Sequence, residues 1–287
     1  MINRLGYRYD PGIVSLFLTL VFSFGDIGSG YSNSSPPPRG GYADINLLGI
    51  DATLPTVSQC LDRVHHSTWE PRPENNGGDG YADENHNISS LNIPDVDGID
   101  SGAQRFYLNR IEAVNDANIM GTTDELIQFF SCYWGVDDNS TRARAVIESS
   151  WDQDFNGDSG VSWGLLQVKD EAPRDRGSGP HNSTYPDVFV STGNNLNYAL
   201  AWIAGCYRGD MSGWIPDEFM NDPGRRYREC VGLWYSGEWR SGNSEYLSSY
   251  DKELNNKTWL SSDFPNWSAS YTCRKTTCDT LPYDKPK

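Results

Sequence analysis

The sequence predicts a mainly α domain carrying a glycine- and aspartate-rich insertion at about residues 154–169, with an irregular extension before it. Three observations predict this class. Thr122-Thr123-Asp124-Glu125 has the form of a helix start, a threonine cap followed by the acidic first turn that the helix dipole favours, and Leu126, Phe129, Phe130 and Tyr133 supply an apolar face behind it. Ala143, Ile147 and Trp151 recur at helical spacing. Residues 196–207 (LNYALAWIAGCY) form an apolar run long enough to be a buried helix.

The elements follow in order. Residues 1–30 carry Arg4 and Arg8, an apolar stretch at 12–24 and the small residues Gly28-Ser29-Gly30, the pattern of a secretory signal. The stretch is shorter than the roughly 20 apolar residues that span a bilayer. Residues 31–100 are rich in Pro, Gly, Asn and Asp, with no sustained period. Within them, 32–41 reads as linker, while the part with Cys60 and Trp69 can wrap onto the core if a cystine ties it down. Phe106, Tyr107, Ile111 and Val114 predict a short helix after Ser101. The next helix starts at Thr122 and ends at Gly135, and a third starts at a cap on Asp138 or Asn139. Residues 196–207, 230–234 and 245–254 predict three more, and 261–287 form a tail containing Cys273 and Cys278.

Composition excludes several functions. Lys and Arg number 23 against 39 Asp and Glu, a net charge of -16, so a nucleic acid partner that needs clustered cations is not expected. Six cysteines in an exported chain read as three disulfides, for which Cys206–Cys230, Cys273–Cys278 and Cys60–Cys132 are the expected pairs. There is no C-x-x-C and there are 4 His, so neither a metal nor another cofactor is expected. The expected location is extracellular or periplasmic, as a monomer with no stable membrane insertion. Sequons begin at Asn33, Asn87, Asn139, Asn182, Asn256 and Asn266.

The chemistry concentrates in residues 146–170, VIESSWDQDFNGDSGVSWGLLQVKD. Glu148 falls near the C-terminal end of its helix. Half-burial against Trp151, Trp163 or Trp234 would disfavour its charged form and suit it to general-acid work. Glu148-Ser149, followed by a loop and then Gly164-Leu165-Leu166-Gln167-Val168, resembles the signature of the lysozyme-like superfamily, in particular the soluble lytic transglycosylases and goose-type lysozymes. Leu166 stands where the family has Met. The family's Y-N-x-G element has a degenerate counterpart in Trp234-Tyr235-Ser236-Gly237. The similarity spans roughly residues 121–254. It implies a lysozyme-like catalytic domain over about 101–260 that cleaves the β-1,4 bond between N-acetylmuramic acid and N-acetylglucosamine in peptidoglycan, with Glu148 as acid and then base. In a transglycosylase the sugar's own 6-hydroxyl is the nucleophile, so no second carboxylate is obligatory. In the goose-type hydrolase Asp158 would be the second carboxylate, but Lys169 replaces a further expected Asp and Asp170 lies one place off. The competing readings are therefore a goose-type muramidase and an inactive wall- or chitin-binding module.

Each residue also has a plainer role. Glu148 can pair with Arg144 at i−4 on the helix surface. Ser162 can reach a sugar or only bond locally. Gln167 can bind an acetamido group or satisfy buried backbone. Gly164 can admit substrate or only form a turn. Trp163, Trp234, Tyr235 and Trp239 can carry sugar rings or fill the core. Asp152-x-Asp154-x-Asn156-Gly157-Asp158 matches half of an EF-hand loop, with Trp163 where the bidentate Glu belongs, and reads as a cleft-shaping loop.

Overall fold

A largely apolar helix with no charged face has to sit inside the protein, and the run around Leu196 does so. The computed structural model describes residues 47–72, 75, 93, 95–115, 117, 119–153, 155–157, 162–169, 191–211, 221–237, 243–261 and 264. They are mainly helical. The helices are α1 (Val57–Leu61), α2 (Ser101–Glu112), α3 (Thr123–Trp134), α4 (Asp138–Ser149), α5 (Thr192–Arg208), α6 (Pro223–Ser236) and α7 (Asn243–Asn256), followed by a 3-10 turn, Thr258–Leu260. The predicted signal, the sequons at Asn33, Asn87, Asn182 and Asn266, and Cys273 and Cys278 lie outside the described residues.

Helix α5 is buried from Thr192 to Tyr207 and forms the axis of the fold. Helices α2, α3 and α6 pack around it, α4 packs on α3 and α7, and α6 also packs on α7. Trp134 of α3 stacks on Tyr107 of α2 with centroids 5.8 Å apart, and its indole N–H donates to Asn197 Oδ1 at 2.9 Å. The Thr122 cap forms as the sequence predicts: its hydroxyl accepts from Glu125 N, and the Glu125 carboxylate accepts in turn from Thr122 N. Gly135 closes α3 with φ +67°, a conformation that glycine adopts without penalty.

Two boundaries differ from expectation. Helix α4 is capped by Asp137, whose side chain accepts from Ser140 N, and so begins one residue earlier. Helix α6 begins at Pro223, seven residues before the apolar signal, with Asp222 as its cap. The glycine-rich insertion is also not pure loop. It forms three two-residue strands, β1 (Asn156–Gly157), β2 (Ser162–Trp163) and β3 (Val168–Lys169), paired antiparallel in the order β1-β2-β3.

Cys60 is bonded to Cys132 and Cys206 to Cys230, as expected. The first bond fastens α1, in the irregular extension, to α3; the second joins α5 to α6. Among the described residues no helix is long and apolar enough to cross a membrane. Loop-closure entropy over sequence separations of 72 and 24 residues assigns the bonds about 4 and about 3 kcal/mol. Cys60→Ala/Cys132→Ala is therefore expected to lower the urea midpoint more than Cys206→Ala/Cys230→Ala.

Candidate functional site

Helix α4 ends where the sequence places its acid. Ser150 and Trp151 both turn left-handed, with φ of 52° and 68°, so the chain leaves the helix one residue after Ser149. Two successive non-glycine residues in that region are strained, and a strap from the extension holds them. Arg72 Nε donates to Ser150 O at 2.6 Å and Asn75 Nδ2 to Trp151 O at 2.9 Å, while Gln153 N donates to Asn75 Oδ1 at 3.2 Å. Trp151 points into the core, edge-on to Trp69 and Phe264. It packs there as a clamp beyond the helix rather than as a member of the helical stripe.

The two halves of the motif meet at Ser149. Its hydroxyl donates to Ala145 O at 3.1 Å and to Leu165 O at 3.0 Å, a fork that ties the helix end to the turn after β2. Asn195 of α5 organises that turn: its Nδ2 donates to Trp163 O at 3.0 Å and its Oδ1 accepts from Leu166 N at 2.9 Å. Gly164 adopts φ +74°, and a Cβ there would lie 2.7 Å from Asn195 Nδ2, so glycine is required by both conformation and close approach.

The remaining predicted residues divide between structure and surface. Gln167 donates both amide hydrogens inward, to Phe155 O and Gly164 O at 2.9 Å each, which is the backbone-satisfying role. Ser162 is buried in β2 and Trp163 is half-buried beside it. Trp234 is half-buried against Trp202 and donates its indole N–H to Leu166 O at 3.2 Å, so it too braces the turn. Tyr235 is 45% exposed and stacks on Tyr246 with centroids 4.3 Å apart. Asp158, Asp154 and Trp239 lie outside the described residues.

Glu148 itself is half-buried. The aromatic group that reaches its carboxyl is Tyr246 of α7, whose hydroxyl donates to Oε1 at 2.5 Å. Among the described residues no hydrogen bond joins it to its i−4 neighbour Arg144. Burial, followed by the charge of Glu148, pushes the Tyr246 phenol well above its ordinary range, so it remains a donor at any working pH. Sequence reasoning missed Tyr246, which lies 98 residues along the chain in a helix with no motif. It also missed Asn195, although Asn194, Asn195 and Asn197 in one apolar helix were a usable signal, since a buried amide needs partners.

One further carboxyl is perturbed beside the strap. Glu70 accepts from Thr123 N at 2.9 Å, Asn75 Nδ2 at 3.1 Å and Arg72 N at 3.3 Å, yet burial outweighs these bonds and raises it to about 7. A carboxyl raised on folding binds its proton more tightly in the folded state. Its stabilising contribution is full below the unfolded value of 4.5 and is lost as pH rises through about 7. Glu70 is expected to lower stability by roughly 1–3 kcal/mol between pH 5 and pH 8. Glu70→Gln should flatten that part of the melting-temperature profile.

No protein-family model matches the chain, and no curated protein or solved structure matches it.

Proposed function

We propose that the protein is an exported, disulfide-bonded enzyme that cleaves peptidoglycan glycan strands as a lytic transglycosylase, with Glu148 as its single acid and base. The observation that carries this reading is the Ser149 fork. Glu148-Ser149 and the Gly164–Val168 segment resemble two family motifs, and a hydrogen bond from Ser149 to Leu165 joins them across 16 positions. The exposed ring of Tyr235, stacked on the tyrosine that holds Glu148, gives a surface on which a sugar can lie beside the acid.

In this mechanism protonated Glu148 gives its proton to the glycosidic oxygen as the bond from that oxygen to C1 of N-acetylmuramic acid breaks. The resulting carboxylate then takes the proton from the sugar's 6-hydroxyl as that oxygen bonds to C1. The products are a free hydroxyl on the leaving strand and a 1,6-anhydro end. Glu148 returns to its acid form and water is not consumed. Tyr246 fixes the carboxyl through Oε1.

The goose-type alternative separates through Asp158. An inverting hydrolase positions water with a base about 6.5–9.5 Å from the acid and depends steeply on it. Asp158→Asn is expected to retain a measurable fraction of wild-type rate in release of soluble fragments from purified peptidoglycan. A loss of more than about a hundredfold would transfer the assignment to the hydrolase. Retention of labelled wall without release of fragments would favour the binding module.

A further inference from the structure

Behind the Glu148–Tyr246 pair lies a buried cation that the proposed mechanism does not yet use. Arg144 is fully buried one helical turn before Glu148, with its guanidinium carbon 5.3 Å from the Trp234 ring centroid. A guanidinium carries five N–H donors, and none of its three nitrogens makes a well-aligned hydrogen bond, although the Tyr246 hydroxyl lies close enough to interact with it directly. Its charge reaches three phenols, Tyr227, Tyr246 and Tyr250, and of these Tyr246 alone also interacts with it by a loosely aligned side-chain hydrogen bond. Tyr227 and Tyr250 are committed to each other through Ser140, at 2.9 and 2.7 Å. Tyr246 is the phenol that points on to the carboxyl.

We propose that Arg144 is a positioning residue that acts on Glu148 through Tyr246, its buried charge polarising the phenol whose hydroxyl holds the carboxylate formed when the acid gives up its proton. The inference rests on reading Glu148 as the acid and base. The proton passes from Glu148 to the leaving oxygen and later returns to Glu148 from the sugar hydroxyl, while Tyr246 keeps its own proton throughout. Arg144 makes the phenol a stronger donor, and a stronger donor stabilises the charged carboxylate relative to the acid. The low dielectric of the site magnifies the effect. Among the described residues the titratable and charged groups around the relay include Tyr227 and Tyr235 from α6, Tyr250 from α7 and Asp137 at the start of α4, with Asp251 and its partner Arg228 beyond Tyr250.

The test is a carbon-13 titration of the Glu148 carboxyl in glutamate-labelled protein, with its resonance assigned through Glu148→Gln. Tyr246→Phe is expected to raise the midpoint by about one pH unit, the scale of one hydrogen bond to a charged group. Arg144→Met should raise it in the otherwise wild-type protein and add little in the Tyr246→Phe background. Arg144→Lys, which keeps the charge, should stay closer to wild type than Tyr246→Phe, and it carries the comparison if Arg144→Met does not fold. An unchanged midpoint in Tyr246→Phe would overturn the relay. So would an Arg144 substitution whose effect is equally large with and without the Tyr246 hydroxyl. The titration needs no turnover: a shifted midpoint in a protein that cleaves no glycan would refute the enzymatic reading and leave the relay standing.

Discussion

Glu148→Gln is expected to abolish clearing of a peptidoglycan suspension while leaving the circular dichroism spectrum and urea midpoint close to wild type. The amide keeps the volume of the side chain and retains an oxygen that can accept from Tyr246 at the position of Oε1. It cannot deliver a proton to a leaving oxygen or take one from a hydroxyl, and the proposed mechanism offers no other group for either step. General acid–base catalysis alone contributes about 10²–10⁴-fold. Because one residue serves both half-reactions here, the loss should reach the upper end of that range. More than a few per cent residual activity in a folded variant would remove Glu148 from the role.

The largest effect on stability is expected at Arg142, far from any proposed chemistry. Its guanidinium is fully buried between α3 and α4, with Nε 2.7 Å from Asp124 and one terminal nitrogen 2.5 Å from Asp138. Asp124 also accepts from Gln128 at 2.7 Å. Both carboxylates sit in first turns, so the arginine joins two helix starts. Arg142→Met would leave two buried carboxylates without their cation, at a cost of about 3–5 kcal/mol. That is a large part of the 5–15 kcal/mol that typically separates folded from unfolded chains. Burial already raises Asp138 to about 6 with the arginine present. A carboxyl raised on folding stabilises at low pH and loses that contribution as pH rises, so the variant should recover part of its urea midpoint at pH 5 relative to pH 7.5. Equal losses at the two pH values would show that packing, not charge, is what the arginine contributes.

Local chemistry made much of the fold legible. The Thr122 cap, the Gly135 stop and the apolar axis around Leu196 are short-range signals that tertiary structure did not override. Both disulfides among the described residues match the expected pairs, although six cysteines allow fifteen connectivities and spacing alone does not choose among them. Errors arose where the decisive interaction was not apolar. Helix α6 starts at Asp222-Pro223, a cap with proline at the first helical position, and an apolar criterion passes over this polar turn. Trp151 fits a helical period but lies beyond the helix, because Ser150 turns left-handed under a strap whose hydrogen bonds come from Arg72 and Asn75.

The candidate site was legible in the same uneven way. Glu148, Ser149 and Gly164 could be singled out from the motif; Ser149 and Gly164 shape the turn after β2, and Glu148 accepts a hydrogen bond from Tyr246. Gln167 and Trp234 turned out to brace the turn, because a buried glycine-rich loop leaves backbone carbonyls that need donors. Tyr246 carried no signal, because it comes from a helix without a motif, and Arg144 was legible only as a surface partner of Glu148, whereas the folded packing buries it fully.

The account is tested most directly by the masses of the fragments released when the wild-type protein digests purified peptidoglycan. The expected fragments end in 1,6-anhydromuramic acid and are one water lighter than hydrolytic products, because the nucleophile is the sugar's own hydroxyl. Fragments with ordinary reducing ends would contradict the transglycosylase, and a wild-type digest that releases nothing beyond what Glu148→Gln releases would contradict glycan cleavage by Glu148 altogether.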